Sequence, residues 1–218
     1  MRICRGLFRQ LQKYLKMLKR IFDLVFSAVG LLALSPLFLV IALLIKIDSA
    51  GPIFFRQVRV GRSLFLFKIH KFRTMVVNAS DLGPSVTTDD DPRVTRVGKI
   101  LRKYKLDELP QLIDVLLGDM SLVGPRPEVP KYVDTYSDAD KTTIFSVKPG
   151  ITDKASIEFR NENELIANSS DVDSVYLEKI LPIKLVYYRE YVETRSLWLD
   201  IKIILKTVWL ILPFNSKK

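Results

Sequence analysis

Two neighbouring acids, Asp107 and Glu108, open the stretch Lys105 to Glu128, KLDELPQLIDVLLGDMSLVGPRPE. A carboxylate can hold Mg2+ or attack a phosphorus atom directly, and either task needs positive charge close by to admit a polyanionic substrate. That charge is present: Arg102, Lys103 and Lys105 lie just upstream and Arg126 just downstream. Arg126 stands between Pro125 and Pro127, which fix the backbone and so reduce the freedom lost when the guanidinium grips a ligand. The plain alternatives are a helix N-cap for the acid pair and a surface arginine in a rigid turn.

The elements that must position these residues follow from spacing. A helix from Asp107 to Leu117 puts Leu109, Leu112, Ile113 and Leu116 on one stripe and Asp107, Gln111 and Asp114 on the other side. Asp107 would be its N-cap, Pro110 is tolerated in the first turn, and Gly118 ends it. Just before it, Arg93 and Arg96 lead into a short helix bearing Lys99, Arg102 and Lys103, a basic face suited to phosphate or simply to solvent. Further upstream, Pro52 to Arg59 and Leu64 to His70 are rich in aromatic and β-branched residues around Val60-Gly61-Arg62-Ser63, and predict a β-hairpin. His70 is the sole histidine and is expected to hold a strand position rather than a metal.

Residues 78–92 are polar and read as a loop, in which Asp89, Asp90 and Asp91 are expected to be solvated. After Glu128, Tyr132 to Phe145 reads as helix, broken by Lys148-Pro149-Gly150. Residues 151–175 are mixed and polar, with a short helix expected. Leu177 to Pro213 carries two helical patterns. The second, Leu197 to Leu212, sets Trp198 and Trp209 on a common face beside Lys202 and Lys206, which suits a helix lying among lipid headgroups.

The chain has 218 residues and a net charge of +10. Residues 1–76 hold 14 of the 34 basic residues against only Asp23 and Asp48, while the remainder is slightly acidic. Such a bias fits nucleic acid or an anionic membrane, and the adjoining apolar run decides for membrane. No basic groove with aromatic platforms supports nucleic acid. The lone Cys4 excludes an intramolecular disulfide.

Residues 1–20 carry seven basic side chains and no acid, with leucines at helical spacing, and predict an interfacial helix rather than a cleaved signal peptide. Leu24 to Ile45 is 22 residues without a charge, long enough at ~1.5 Å per residue to span a ~30 Å bilayer core. Ser35-Pro36 lies near its middle, where the proline predicts a break and the serine can bond the freed backbone. Basic residues flank the run on both sides. A hairpin that dips into the membrane and returns keeps both flanks in the cytoplasm, whereas a spanning helix would not. The expected architecture is α+β and mainly helical. It has a re-entrant helix-break-helix in residues 1–50 and a cytoplasmic, membrane-resting catalytic domain in residues 51–218 with a small hairpin and amphipathic interfacial helices.

The ordered stretches KRIFD (19–23), Ser35-Pro36, KFRTM (71–75), RVTRVG (93–98), LDELPQL (106–112), GDMSLVGPRPE (118–128) and PGIT (149–152) resemble the bacterial sugar transferase family, the monotopic polyprenyl-phosphate sugar-1-phosphate transferases. The resemblance implies transfer of a sugar 1-phosphate from a nucleotide sugar, a UDP-sugar above all, to polyprenyl phosphate at the cytoplasmic face of a bacterial inner membrane. It also implies Asp107 as nucleophile through a covalent phosphosugar, Glu108 as its partner, and Mg2+ held at Asp107 and Glu108. Arg102 and Arg126, with Arg96 and Arg160, would bind phosphate and substrate. A homodimer is left open. Where Gly-Trp-Ala-Gln-Val-x-Gly-Arg often follows Pro-Gly-Ile-Thr in the family, this chain has Asp153-Lys154-Ala155-Ser156-Ile157-Glu158-Phe159-Arg160, so the sugar is not read from the motif. Sequential transfer without a covalent intermediate and a noncatalytic basic membrane scaffold are the alternatives.

Overall fold

The computed structural model describes residues 2–79, 82, 91–160 and 172–211. Asp89 and Asp90 fall outside them. The first element is a single helix, α1 (Arg2–Asp48), which joins the basic and apolar stretches without interruption. The expected break at Pro36 is not a loss of helix: the chain stays helical through it. Pro36 has no N–H for the Leu32 carbonyl, and the Ser35 hydroxyl donates to that same oxygen at 2.8 Å. The helix therefore loses a backbone bond but leaves no orphaned acceptor there.

Strands β1 (Phe54–Val60) and β2 (Leu66–Phe72) form the antiparallel hairpin expected, with Phe54 opposite Phe72 and Arg56 opposite His70. Helix α2 (Arg96–Lys103) follows, its N-terminus capped by Thr95. A short 3-10 turn, Leu106–Glu108, precedes α3 (Gln111–Leu117), which ends at Gly118 in the left-handed region. The helix thus starts later than expected, with Pro110 at its cap position, and Asp107 is not its N-cap.

A second sheet was not apparent from the sequence. It pairs β3 (Ser121–Val123) in parallel with β4 (Gly150–Thr152). Between them the single helix expected over 132–145 divides into α4 (Pro130–Val133) and α5 (Asp138–Ile144), because Ser137 starts a new helix by accepting from the Asp140 N–H at 3.1 Å. The remaining helices are α6 (Lys154–Glu158), α7 (Val172–Val175), α8 (Leu181–Thr194) and α9 (Leu197–Ile211), with a wide π turn, Tyr176–Ile180, leading into α8.

Apolar burial holds these elements in three clusters. Tyr132, Val133, Ile144, Phe145, Leu181 and Tyr188 join α4, α5 and α8. Phe67, Ile69, Val115, Met120, Val123 and Ile203 join β2, α3, β3 and α9. Ile41 and Ile45 of α1 pack on Phe72 and Leu101. Most of the apolar surface of α1 stays outside these clusters: Leu32 is 78 % and Leu39 73 % exposed. Among the described residues, Lys13–Asp48 is the one segment long and apolar enough to cross a membrane.

Polar bonds secure both ends of the apolar part of α1. Asp23, buried, accepts from the Ser121 hydroxyl at 2.9 Å and the Leu122 N–H at 3.2 Å, while Arg20 donates to the Val115 and Leu116 carbonyls at the end of α3. At the other end Asp48 accepts from the Val97 N–H at 2.9 Å, and Arg73 donates to the Ser49 and Ala50 carbonyls.

Candidate active site

The 3-10 turn that carries Asp107 and Glu108 is entered through Lys105, whose φ of 54° is left-handed and turns the chain sharply out of α2. Glu108 is fully engaged. Lys71, from the end of β2, donates to its Oε1 at 2.7 Å, and Arg126 grips both oxygens, Nη1 donating to Oε2 at 3.1 Å and Nη2 to Oε1. Asp107 makes no hydrogen bond or ion pair with the described residues. One acid is tied down and its neighbour is uncommitted.

The two carboxyls are pushed in opposite directions. Burial raises Glu108, but Arg126 and Lys71 outweigh it and hold the group well below the usual carboxylate range. Burial and the charge of Glu108 raise Asp107, with Lys71, Arg102 and Lys105 opposing. The result is a Glu108 held toward its ionised form beside a more basic Asp107, the pattern expected when two like groups take different roles. Lys71 is itself lowered by burial, against the pull of Glu108.

Close backbone approaches bring the distant motifs together. Gly98 of α2 lies on Thr74: a Cβ there would sit 2.1 Å from the Thr74 carbonyl oxygen. The same contact lets the Thr95 N–H reach that oxygen at 3.0 Å and Arg102 Nε reach Thr74 Oγ1 at 3.0 Å. On the other flank a Cβ on Gly150 would meet the Gly124 nitrogen at 2.1 Å. That contact pins the Gly124-Pro125-Arg126-Pro127 loop to β4, with the Gly150 N–H donating to the Pro125 carbonyl at 2.9 Å. Arg126 thus points at Glu108 from a braced loop, and its side chain remains 29 % exposed.

Of the arginines expected to bind phosphate, Arg126 and Arg102 belong to this site. The cations that most favour ionised Asp107 are Lys71, Arg102 and Lys105, and neither Arg96 nor Arg160 is among them. Arg96 is exposed at the first position of α2, and Arg160 is half-buried just past α6. Sequence reasoning left Lys71 out of the site. Its signal was a lysine between His70 and Phe72 in a strand otherwise built for burial. Arg59 was also missed. It reaches the Pro127 carbonyl at 3.2 Å and lies 3.9 Å from Glu128, which accepts from the Tyr176 hydroxyl at 2.6 Å.

Asp91 forms an ion pair with Arg93. Asp153, the first residue of the divergent segment, is buried and caps α6 by accepting from the Ser156 N–H at 3.0 Å. No cluster of three or more potential metal ligands occurs among the described residues. The donor set still suits Mg2+, which commonly takes one or two carboxylates and completes its shell with water and substrate phosphate oxygens. Asp107 has both oxygens free for that purpose, whereas Glu108 would share its oxygens with Arg126 and Lys71.

Residues 14–213 match the bacterial sugar transferase family. The chain belongs to that family. Among similar bacterial sugar transferases, the UDP-N-acetylgalactosamine-undecaprenyl-phosphate N-acetylgalactosaminephosphotransferase of Aeromonas hydrophila is 39 % identical over 197 residues, 89 % of this chain and 44 % of the relative. The UDP-glucose:undecaprenyl-phosphate glucose-1-phosphate transferase of Escherichia coli K12 is 41 % identical over 197 residues, covering 89 % of this chain and 40 % of the relative. The exopolysaccharide production protein ExoY of Sinorhizobium fredii is 36 % identical over 205 residues, 87 % of this chain and 83 % of the relative. The chain therefore spans less than half the length of the first two relatives and most of the third.

Proposed function

We propose that this protein transfers a sugar 1-phosphate from a UDP-sugar to a polyprenyl phosphate and releases UMP, starting surface glycan assembly at the cytoplasmic face of the inner membrane. The observation that carries the reading is the division of labour at the acid pair: Glu108 is held by Lys71 and Arg126 while Asp107 is free and more basic. The names of the relatives, which act on UDP-sugars and undecaprenyl phosphate, support the substrate classes.

In this mechanism an Asp107 carboxylate oxygen attacks the sugar-bearing phosphorus, and the bond from that phosphorus to the bridging oxygen breaks. UMP leaves with the bridging oxygen, and the sugar phosphate stays on Asp107 as a mixed anhydride. A polyprenyl phosphate oxygen then attacks the same phosphorus and displaces the Asp107 oxygen, which returns to carboxylate. Arg126 and Arg102 orient the phosphoryl oxygens, and Lys71 with Arg126 keeps Glu108 ionised beside the reacting centre. Mg2+, bound at Asp107 and Glu108, would supply further neutralisation of the diphosphate.

The same reading makes α1 enter the bilayer and return by bending within its helical course at Pro36, where the backbone bond to Leu32 is missing. In support, the residues at the two ends of its apolar stretch, Asp23 and Asp48, bond to one and the same domain. A helix spanning ~30 Å of hydrocarbon would part them. Trp198 and Trp209, both exposed on α9, are suited to the headgroup layer where a polyprenyl phosphate presents its phosphate.

The test is UMP release by the membrane-bound protein across a panel of UDP-sugars with polyprenyl phosphate and Mg2+. Release with at least one sugar, dependent on the lipid phosphate for multiple turnovers, is expected. No release with any of them would count against the reading and favour a noncatalytic scaffold.

A further inference from the structure

His70 and Asp114 take no part in the chemistry above, yet they form a buried polar contact beside it. Asp114, on α3, is 0 % exposed. Its two carboxylate oxygens receive the two donors of one residue: Oδ2 accepts from the His70 main-chain N–H at 2.8 Å, and Oδ1 lies 2.5 Å from His70 Nδ1. From β1, directly opposite in register, Arg56 Nη1 lies 2.5 Å from His70 Nε2.

A guanidinium can only donate, so Nε2 must accept and Nδ1 must carry the ring proton. The hydrogen bonds then run in one direction, from Arg56 to His70 to Asp114. The main-chain carbonyl of Asp114 meanwhile accepts from the N–H groups of Gly118, Asp119 and Met120, so the same residue also closes α3.

The position of this clamp relative to the acid pair gives it a consequence for catalysis. His70 is the neighbour of Lys71 on β2, and Asp114 sits one helical segment after Glu108. His70 to Asp114 and Lys71 to Glu108 are therefore two adjacent rungs between the same strand and the same turn-helix unit. The apolar contacts around Ile69 and Val115 hold β2 and α3 together, but apolar contact is non-directional and sets no register along the strand. Two hydrogen bonds from one residue to one carboxylate do set it.

We propose that His70 and Asp114 are positioning residues for the transfer reaction, locking β2 against α3 so that Lys71 meets Glu108 in the productive geometry. The proposal rests on the phosphoglycosyl transfer reading, since it is measured through that activity. A misplacement of ~1 Å at such a site is enough to lower the rate by about 100-fold.

The experiment compares His70→Leu with His70→Asn in the full-length membrane-bound chain. The asparagine amide places an N–H where Nδ1–H stands and can still donate to Asp114; leucine cannot. His70→Leu is expected to lower kcat for UMP release about 30-fold, with KM for the UDP-sugar changed less than about threefold because Arg102 and Arg126 are untouched. His70→Asn should recover most of the loss. In a Lys71→Met background His70→Leu should have little further effect, because the second rung is already gone.

Equal kcat for His70→Leu and wild type, or a full and additive loss in the Lys71→Met background, would overturn the proposal. If His70→Leu does not fold, Asp114→Asn decides, since its amide oxygen can still accept from the His70 main-chain N–H while its amide nitrogen cannot accept from Nδ1–H. A kcat lowered about fivefold at constant KM supports the clamp, and an unchanged kcat overturns it. Failure of wild type itself to release UMP from any UDP-sugar would instead fall on the functional reading.

Discussion

Asp107 and Glu108 are consecutive carboxylates with opposite electrostatic fates, and the cause is which cations reach them. Glu108 collects Lys71 and the fork of Arg126, while Asp107 is left with longer-range attraction and the repulsion of Glu108. If Asp107 must be ionised to attack, the acid limb of the rate follows its titration. Lys71 lowers Asp107, so Lys71→Met should move that limb to higher pH; Glu108 raises Asp107, so Glu108→Gln should move it to lower pH. Both variants should lose about tenfold or more in kcat. Profiles of UMP release against pH check the signs, and shifts in the same direction for both variants would refute this assignment.

At the scale of elements, α3 shows what periodicity conveys and what it omits. The apolar stripe is real, and Leu112 packs close to Gly30 of α1. Yet the polar side opposite that stripe holds Gln111 and Asp114, the most buried side chains of the helix together with Val115. A polar residue is read as exposed unless its partner is known, and the partner of Asp114 is a strand residue 44 positions earlier. Lys71 was missed for the same reason, since its carboxylate lies 37 positions away. The hairpin, by contrast, was legible because its pairing is local and its strands are rich in aromatic and β-branched residues. Strands β3 and β4, three residues each and joined by a long connection, carry no period to detect.

The motifs were visible as words, but their meeting points were not. Gly98 on Thr74 and Gly124 on Gly150 are contacts between separate words. A methyl group at Gly98 has no space against a backbone carbonyl, so Gly98→Ala should push α2 off Thr74, just past β2, and cost about 2 kcal/mol or more in stability. It should also release Arg102 from Thr74. A lower thermal midpoint with reduced UMP release is the expected result, and a wild-type midpoint would show that α2 is not held as closely as described.

For the whole molecule, the long first helix and the acid pair belong to one construction. Asp23 and Arg20 fasten one part of α1 to β3 and the end of α3, and Asp48 with Ile41 and Ile45 fastens the other to α2 and β2. The acid pair stands in the turn between α2 and α3, so the contacts that hold α1 to the domain also fix the elements that carry the acid pair. A cysteine-labelling experiment in a Cys4→Ser background tests the re-entrant arrangement. Gln10→Cys and Arg62→Cys, both at exposed positions, should react with an impermeant reagent from the same side of an oriented membrane. Reaction from opposite sides would establish a spanning helix.

The central claim is that the side chain of Asp107 carries the sugar phosphate during turnover. Intact mass spectrometry of the protein after incubation with a productive UDP-sugar, without lipid acceptor, tests it directly. The account predicts a gain of one sugar phosphate in the wild type, discharged on adding polyprenyl phosphate and absent in Asp107→Asn. Wild-type enzyme that turns over while never gaining mass, or an Asp107→Asn variant that keeps full activity, would contradict it.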